Sequence, residues 1–239
     1  MKTYQRTARL VGLAYLFSNV TFVLGAILMV ESVLGSPDYL SLISASRGRL
    51  ILGLLLSFIN GMAYVGIAAL LFPMLRLRFE SLALAYVGFR VVEFITQILA
   101  DISPLALLTL IENTGQAGLL QGLGALLLAE RFWAFQMLNL MFSLSALMLY
   151  VMLLRARLVP GFICIWGLIA AALVVINTLL GWFSPDLGES LGMITGLPML
   201  LNELFLGIWL IVRGFNPPAT AIEPAAQFAL ETYGIGRGD

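Results

Sequence analysis

The sequence predicts an all-α membrane protein, a polytopic bundle of six transmembrane helices with both termini cytoplasmic and a helical cap on the outer side. Three observations support this prediction. The 239 residues are 61% hydrophobic and 11% charged, whereas soluble domains have about 25% charged residues. Six apolar runs reach the roughly 20 residues that a helix needs to cross a bilayer core about 30 Å thick. Basic residues concentrate in alternate loops between those runs.

The six predicted spans form one domain, residues 1–215, and a flexible cytoplasmic tail follows at residues 216–239. The apolar runs cover residues 11–30, 50–75, 81–101, 132–154, 161–183 and 191–212. Residues 102–129 are also apolar but are interrupted by a proline and several glycines. They either extend the third and fourth spans beyond the bilayer or form a short hairpin at the outer interface. Both arrangements give a helical cap.

The distribution of lysine and arginine predicts the orientation, because cytoplasmic loops are richer in these residues. One side of the predicted topology carries Lys2, Arg6, Arg9, Arg76, Arg78, Arg155, Arg157 and Arg213. The other side carries only Arg47, Arg49 and Arg131. The richer side contains both the N-terminus and the tail, so we expect both of them in the cytoplasm.

The composition also argues against several classes of function. Lysine plus arginine and aspartate plus glutamate both number 13, so there is no basic excess to hold a nucleic-acid backbone. Histidine, the commonest metal ligand and general base, is absent, and Cys164 is the single cysteine. We therefore predict no nucleic-acid partner, no metal and no cofactor. An enzyme would depend on carboxylates alone, which makes a non-enzymatic role in the lipid bilayer the better hypothesis.

Four ionisable residues lie inside the predicted spans, where charged side chains are rare and indicate functional sites. They are Arg90, Glu93, Asp101 and Glu203. At about 1.5 Å per residue, Arg90 lies about 14 Å and Glu203 about 15 Å from the inner ends of their spans. Arg90 and Glu93 are three residues apart on one helix face, so they can pair directly. Because Glu203 lies at the same depth, we predict that it joins them in a ligand-binding polar layer.

Amide side chains extend this layer in the prediction. Asn19 and Asn202 fall at a similar depth to Arg90 and are assigned to the same site. A secondary polar layer lies further out, about 22 to 24 Å from the inner ends of the spans. It comprises Asn60, Gln97, Asn139 and Asn177. Asp101 and Arg131 are expected to pair at the outer rim, which would complete a polar path from the outer face to the middle of the membrane.

A structural interpretation of these residues competes with the functional one. Buried amides and Arg–Glu pairs often only fasten helices together, each contributing about 0.6 to 2 kcal/mol. The inner layer, however, contains one arginine and two glutamates. If all three were ionised, an uncompensated negative charge would remain in a medium of low dielectric constant. Charge balance then requires a bound proton or cation, which favours a functional role for this layer.

Several segments, in the same order along the chain, resemble the bacterial membrane family catalogued as domain of unknown function 4386. The resemblance spans about residues 6–217. Its segments include residues 6–12 (RTARLVG), 37–40 (PDYL), 82–93 (LALAYVGFRVVE), 123–129 (LGALLLA), 155–160 (RARLVP), 166–168 (WGL), 202–203 (NE) and 209–217 (WLIVRGFNP).

This resemblance implies a six-span bundle in a bacterial cytoplasmic membrane, and it implies no particular activity. The family pattern includes Arg90, Glu93 and Glu203, with an amide at the position of Asn202. At the start of the fourth span the family has Arg-Asp-Trp, whereas this chain has Phe132 between its Arg and Trp. A carboxylate at that position is therefore not required here.

Two functional hypotheses follow from the sequence. In the first, the polar layer binds a small solute, a lipid head group or a proton, with Arg90 contacting an anionic group and Glu203 titrating. In the second, the protein is an accessory or sensory subunit that binds another protein through the bundle surface, and the polar layer is structural. The oligomeric state is left open by both.

Overall fold

The computed structural model describes residues 2–113 and 116–216, and this part of the chain is helical apart from short turns, with no strand. The predicted tail lies outside the described residues except for Asn216. Helix α1 (Lys2–Thr21) continues through a π-helix (Phe22–Glu31) into the short α2 (Ser32–Leu34). The remaining helices are α3 (Tyr39–Ala45), α4 (Arg47–Asn113), α5 (Ala117–Ala156), α6 (Gly161–Phe183) and α7 (Pro185–Val212). Five helices in the described ranges are long and apolar enough to cross a membrane.

Helix α4, 67 residues long, is a hairpin of two antiparallel helical arms joined across a break in helical geometry. The backbone leaves helical geometry at Phe79 (φ −138°, ψ 53°). Arg47 pairs with Glu112, and Ser57 bonds to Asp101, so contacting residues lie at nearly equal distances from Phe79 along the chain. We call residues 47–78 the first arm and residues 80–113 the second arm. The two arms contain the second and third predicted spans.

The segment 102–129 consists of helix extensions rather than a separate hairpin, as far as the structure describes it. The second arm of α4 continues without a break to Asn113, and α5 begins at Ala117. Together with α3 these extensions form a small apolar cluster in which Ile43 and Leu107 are fully buried. The extensions are stabilised by this cluster, which lies apart from the main core.

The main core lies where α1, both arms of α4, α5, α6 and α7 meet. Tyr15, Ile67 and Tyr150 are among its buried side chains. Large apolar side chains also face outward, including Leu84 (63% exposed) and Ile169 (58% exposed). An exterior with many exposed large apolar side chains is typical of a surface in contact with another apolar phase rather than water.

The bundle has two chemically different ends. At one end, the Gln5 side chain donates a hydrogen bond to the Phe215 carbonyl (3.1 Å), and the Asn216 N–H donates to the Leu158 carbonyl (2.8 Å). These contacts bring the N-terminus, the α5–α6 turn and the end of α7 together, so we call this the basic end after its arginines. The opposite end, which contains Glu31, is called the acidic end.

Candidate functional site

Arg90 lies in the interior of the bundle, on the second arm of α4, with 1% of its surface exposed. Its Nη1 atom donates to both carboxylate oxygens of Glu93, at 3.1 and 3.0 Å. The three-residue spacing on one helix makes this contact possible. Glu93 is itself 5% exposed, so both charges of the ion pair are held away from the surface.

Glu203 reaches the same region from α7 through Tyr64 on the first arm of α4. The Tyr64 hydroxyl donates to Glu203 Oε2 at 2.6 Å, and the Arg90 guanidinium carbon lies 4.6 Å from the centre of the Tyr64 ring. A cation over an aromatic face is attracted by the ring quadrupole. We call Arg90, Glu93, Tyr64 and Glu203 the core cluster, which is held by helices that are far apart in sequence.

Two more rings enclose the guanidinium of Arg90. Its central carbon lies 5.1 Å from the centre of the Phe142 ring and 5.7 Å from that of Tyr86. Phe142 belongs to α5, whereas Tyr86 precedes Arg90 by one turn. Aromatic faces compensate part of the lost hydration of the cation, which helps to explain why an arginine is tolerated at this depth.

The core cluster contains buried polar atoms that have no hydrogen-bond partner in the protein. They include Nε and Nη2 of Arg90 and Oε1 of Glu203. The hydroxyls of Tyr86 and Tyr150 and the Oδ1 atom of Asn202 are also unpaired. Leaving a buried polar group unsatisfied costs about 1 to 3 kcal/mol. The cluster therefore combines several free donors and acceptors in a region where most polar atoms are expected to be paired.

The two amides assigned to the inner layer do not bond to the charged residues. Asn202 donates from Nδ2 to the Ile163 carbonyl at 3.0 Å, which ties α7 to α6. Asn19 donates to the Tyr15 carbonyl of its own helix at 2.8 Å. Both side chains are buried. Asn202 is next to Glu203 in sequence and has a free oxygen, whereas the Asn19 contact is local to α1.

A second charged cluster lies toward the acidic end, and we call Arg131, Glu31 and Asp101 the rim cluster. Arg131 Nη2 donates to Glu31 Oε1 at 2.7 Å. Its Nη1 atom donates to the Ala100 carbonyl at 2.9 Å and to Asp101 Oδ1 at 3.4 Å. The Arg131–Asp101 contact expected from depth is therefore present, and Glu31 is a third member. One arginine links α5, the second arm of α4 and the end of the π-helix.

Polar contacts continue inward from the rim cluster. Ser57 donates from its hydroxyl to Asp101 Oδ2 at 2.7 Å. Gln97 Nε2 donates to the Ser57 hydroxyl at 2.8 Å and also to the Ser57 carbonyl. One turn further along the first arm, Asn60 accepts a hydrogen bond from Ser18 of α1 at 2.5 Å. Asn60 and Gln97 thus lie together between the two charged clusters.

The other two residues of the predicted secondary layer lie elsewhere. Asn177 Nδ2 donates to the Gly188 carbonyl at 3.1 Å, which connects α6 to the start of α7. Asn139 is only half-buried on α5. Counting residues along a span therefore gave the depth of these side chains in the bundle but not the direction in which they face.

Sequence reasoning missed Tyr64, Ser57 and Glu31. Tyr64 and Ser57 are seven residues apart on the first arm, and Asn60 lies between them at helical spacing. A polar stripe with this period was a usable signal. Glu31 was missed because it directly follows the first apolar run, and its contact with Arg131 is made at the end of the π-helix. Within the described residues, no three Asp, Glu or Cys side chains converge as a metal site would require.

The long apolar helices, the apolar exterior and the sheltered charges define an α-helical membrane protein. The chain belongs to the family described as Domain of unknown function (DUF4386), whose model matches residues 10–214. This confirms the family resemblance identified from the sequence. Comparisons with curated proteins and with solved structures give no significant match.

Proposed function

We propose that this protein spans the bacterial cytoplasmic membrane six times, with its basic end in the cytoplasm, and binds a carboxylate- or phosphate-bearing ligand together with a proton. The ligand is either a small solute or a lipid head group, since the two share this anionic chemistry. Arg90 is the ligand-binding residue and Glu203 is the proton-binding residue. The arginine bias toward the basic end supports this orientation.

The observation that carries the proposal is the free edge of the Arg90 guanidinium. Its Nε and Nη2 atoms have no partner, whereas Nη1 bonds to Glu93. Nε and Nη2 lie on the same side of the planar group, so their N–H bonds point in nearly parallel directions. Two parallel donors match the two oxygens of a carboxylate or phosphate.

Charge balance accounts for the proton. Arg90 supplies one positive charge, and Glu93 and Glu203 supply two negative charges when both are ionised. An added anion would raise the excess negative charge of a buried cluster, which is unfavourable without compensation. A proton on Glu203 Oε1, which is also unpaired, removes one of the excess negative charges of the ligand-loaded cluster and converts the oxygen into a donor. Anion and proton binding are therefore coupled in the proposal.

The test measures thermal unfolding of the purified protein in nanodiscs of neutral lipid, with succinate and inorganic phosphate as soluble probes. A third sample contains phosphatidylglycerol and no added soluble anion. We expect at least one probe to raise the unfolding temperature of the wild-type protein, since a ligand that binds only the folded state stabilises it. The soluble and lipid samples distinguish a solute from a head group.

Two variants complete this test. Arg90→Lys keeps the charge but removes the pair of parallel donors, so the probe should no longer shift the unfolding temperature. Arg155→Lys makes the same exchange at an exposed position near the basic end and should behave as wild type. An equal shift in all three proteins, or no shift in the wild-type protein with any probe, would contradict the proposal.

The depth of the core cluster favours a second candidate function. Arg90, Glu93 and Glu203 are each at most 5% exposed, as expected for residues that only hold helices together. The protein would then be an accessory or sensory subunit that binds another protein through its bundle surface. In that case Arg90→Lys and Glu203→Gln would change stability alone, and no anionic probe would shift the unfolding temperature.

A further inference from the structure

The two arms of α4 present polar side chains to one another from the acidic end to the core cluster. On the first arm these are Ser57, Asn60 and Tyr64, and on the second arm Glu93, Gln97 and Asp101. Spacings of three and four residues place each set on one helix face. All except Asp101, which is 13% exposed, are less than 9% exposed. We call the contact between these two faces the polar seam.

The side chains at the outer end of the polar seam are linked by hydrogen bonds, and helical spacing continues the seam inward. Asp101, Ser57 and Gln97 form a continuous hydrogen-bonded series. Gln97 lies one turn from Glu93, and Asn60 lies one turn from Tyr64, which bonds to Glu203. The seam therefore ends at the unpaired atoms of the core cluster. Polar groups that face one another in an apolar bundle are the usual lining of a route for ions or solutes.

Beyond Tyr86, whose ring packs against Arg90, the same two helix faces are apolar toward the basic end. The first arm continues with Ile67, Leu71 and Leu75, each at most 1% exposed, and the second arm begins with the fully buried Ala83. These residues belong to the main hydrophobic core. A charged ligand that moved along these faces toward the basic end would meet only apolar side chains beyond the Tyr86 hydroxyl, so the polar seam is directed to the acidic end.

Arg131 covers the outer end of the polar seam. It is 5% exposed and contacts Asp101, the outermost carboxylate of the seam, at 3.4 Å. Its closer ionic contact is Glu31 at 2.7 Å, whose side chain is 51% exposed. An ion pair with one partner in solvent is weak and easily exchanged. The covering contact is therefore held in place from outside, by a residue that is accessible at the surface.

We infer that the core cluster is loaded from the acidic end through the polar seam, and that the Arg131–Glu31 ion pair closes this route. The inference rests on the function proposed above and adds the direction of access and its regulation. Release of Glu31 leaves Arg131 held only through Nη1, by the Ala100 carbonyl and Asp101. When Arg131 turns away from these two partners, Ser57 and then Asn60 become exposed. The π-helix that ends at Glu31 belongs to a class of helical irregularity that is often found at functional sites.

The test measures how fast cysteines placed in the polar seam react with a cationic methanethiosulfonate reagent in nanodiscs. The background protein is Cys164→Ala, which removes the native thiol. Ser57→Cys and Asn60→Cys probe the seam, and Ala68→Cys, at a fully buried position nearer the basic end, is the control. Each is compared with and without Glu31→Gln, which removes the negative charge of the outer partner and leaves Asp101 intact.

We expect Glu31→Gln to accelerate the reaction at residues 57 and 60 by about tenfold, since the open population rises as the closing contact weakens. The control at residue 68 should stay unreactive. Arg131→Gln should produce a larger acceleration with the same pattern. If Arg131→Gln also makes residue 68 reactive, this substitution has loosened the whole bundle. The inference is then judged from the labelling rates with and without Glu31→Gln.

Two results would overturn the inference. One is unchanged reaction rates at residues 57 and 60 in Glu31→Gln, and the other is fast labelling at residue 60 while the Arg131–Glu31 pair is intact. Labelling requires no ligand, whereas the proposed function is tested by the shift in unfolding temperature. If no anionic probe shifts the unfolding temperature but the labelling pattern is found, the proposed function fails and the access route stands. If a probe shifts the unfolding temperature but the labelling pattern is absent, the access route fails and the proposed function stands.

Discussion

The core cluster and the rim cluster have the same charged composition, one arginine and two carboxylates, but they use it differently. Arg131 employs both terminal nitrogens, which contact Glu31, Asp101 and the Ala100 carbonyl. Arg90 employs only Nη1 and leaves Nε and Nη2 without partners. The rim arginine thus connects three segments of the chain, whereas the core arginine keeps one edge of its guanidinium free.

The difference follows from the surroundings of each cation. Arg131 lies near a carboxylate that is half in solvent and near a backbone carbonyl, so partners of several kinds are within reach. Arg90 is enclosed by Tyr64, Tyr86 and Phe142, whose faces stabilise charge without satisfying directional N–H groups. Identical charges can therefore connect helices in one region and leave donors unpaired in another.

Among the substitutions that test this comparison, Arg90→Leu should lower the free energy of unfolding most. Removing the cation leaves Glu93 buried without its partner, which should lower the free energy of unfolding by about 3 to 5 kcal/mol. Denaturant titration of the purified protein in detergent measures the change. The double variant Arg90→Leu/Glu93→Leu should recover much of the loss, because an apolar pair is often as stable as a buried ion pair. A double variant as unstable as Arg90→Leu would contradict this explanation.

Arg131→Gln should lower the free energy of unfolding less than Arg90→Leu does, because the rim carboxylates remain partly hydrated. We expect about 2 kcal/mol in the same titration, mainly from the unsatisfied Asp101 and Ala100 oxygens. Glu31→Gln, which keeps the arginine, should cost less than half as much. If Arg131→Gln were as destabilising as Arg90→Leu, the two clusters would not differ in the way proposed.

Tyr64→Phe isolates the bond between Tyr64 and Glu203. In the presence of the anionic probe it should lower the free energy of unfolding by about 1 kcal/mol, the usual net value of a hydrogen bond between neutral groups, because Glu203 carries a proton in the proposed ligand-bound state. Tyr15→Phe is a suitable control, since that ring is buried nearby and packs against Tyr64 at a centroid distance of 6.4 Å. A loss near 3 kcal/mol would indicate an ionised Glu203 instead.

The smallest effect is expected at the surface. Arg47 and Glu112 pair between the two arms of α4, but their side chains are 58% and 48% exposed. Arg47→Gln should change the free energy of unfolding by less than about 1 kcal/mol, and it should leave labelling of the polar seam unchanged. A large effect would mean that the acidic end is organised by this pair rather than by Arg131.

Much of the helical framework could be predicted from the sequence. The fifth predicted span, residues 161–183, has the same limits as α6, because Pro160 and Ser184 bound a continuous apolar run. The second and third predicted spans lie on the two arms of α4, and the break at Phe79 lies in the gap between them, residues 76–80. The π-helix was missed because its residues are ordinary helix and apolar types.

The candidate site was predictable in part. The Arg90–Glu93 contact followed from a spacing of three residues, and equal depth indicated Glu203. The link between them was missed because Tyr64 reads as an ordinary aromatic residue in an apolar run, although its hydroxyl is the bonding group. Asn177 shows the limit of the same reasoning, because depth along a helix is set by residue number whereas facing is set by tertiary packing.

The near-symmetric hairpin about Phe79 also bears on how the chain enters the bilayer during synthesis. Arg90, Glu93, Gln97 and Asp101 all belong to its second arm, and the Ser57 contacts to Gln97 and Asp101 are made within the hairpin. Once both arms have left the ribosome, these groups can shield one another from lipid before α7 supplies Glu203. The second arm, which is costly to insert alone because of its charged and polar side chains, can therefore insert together with the first arm, which precedes it in the chain.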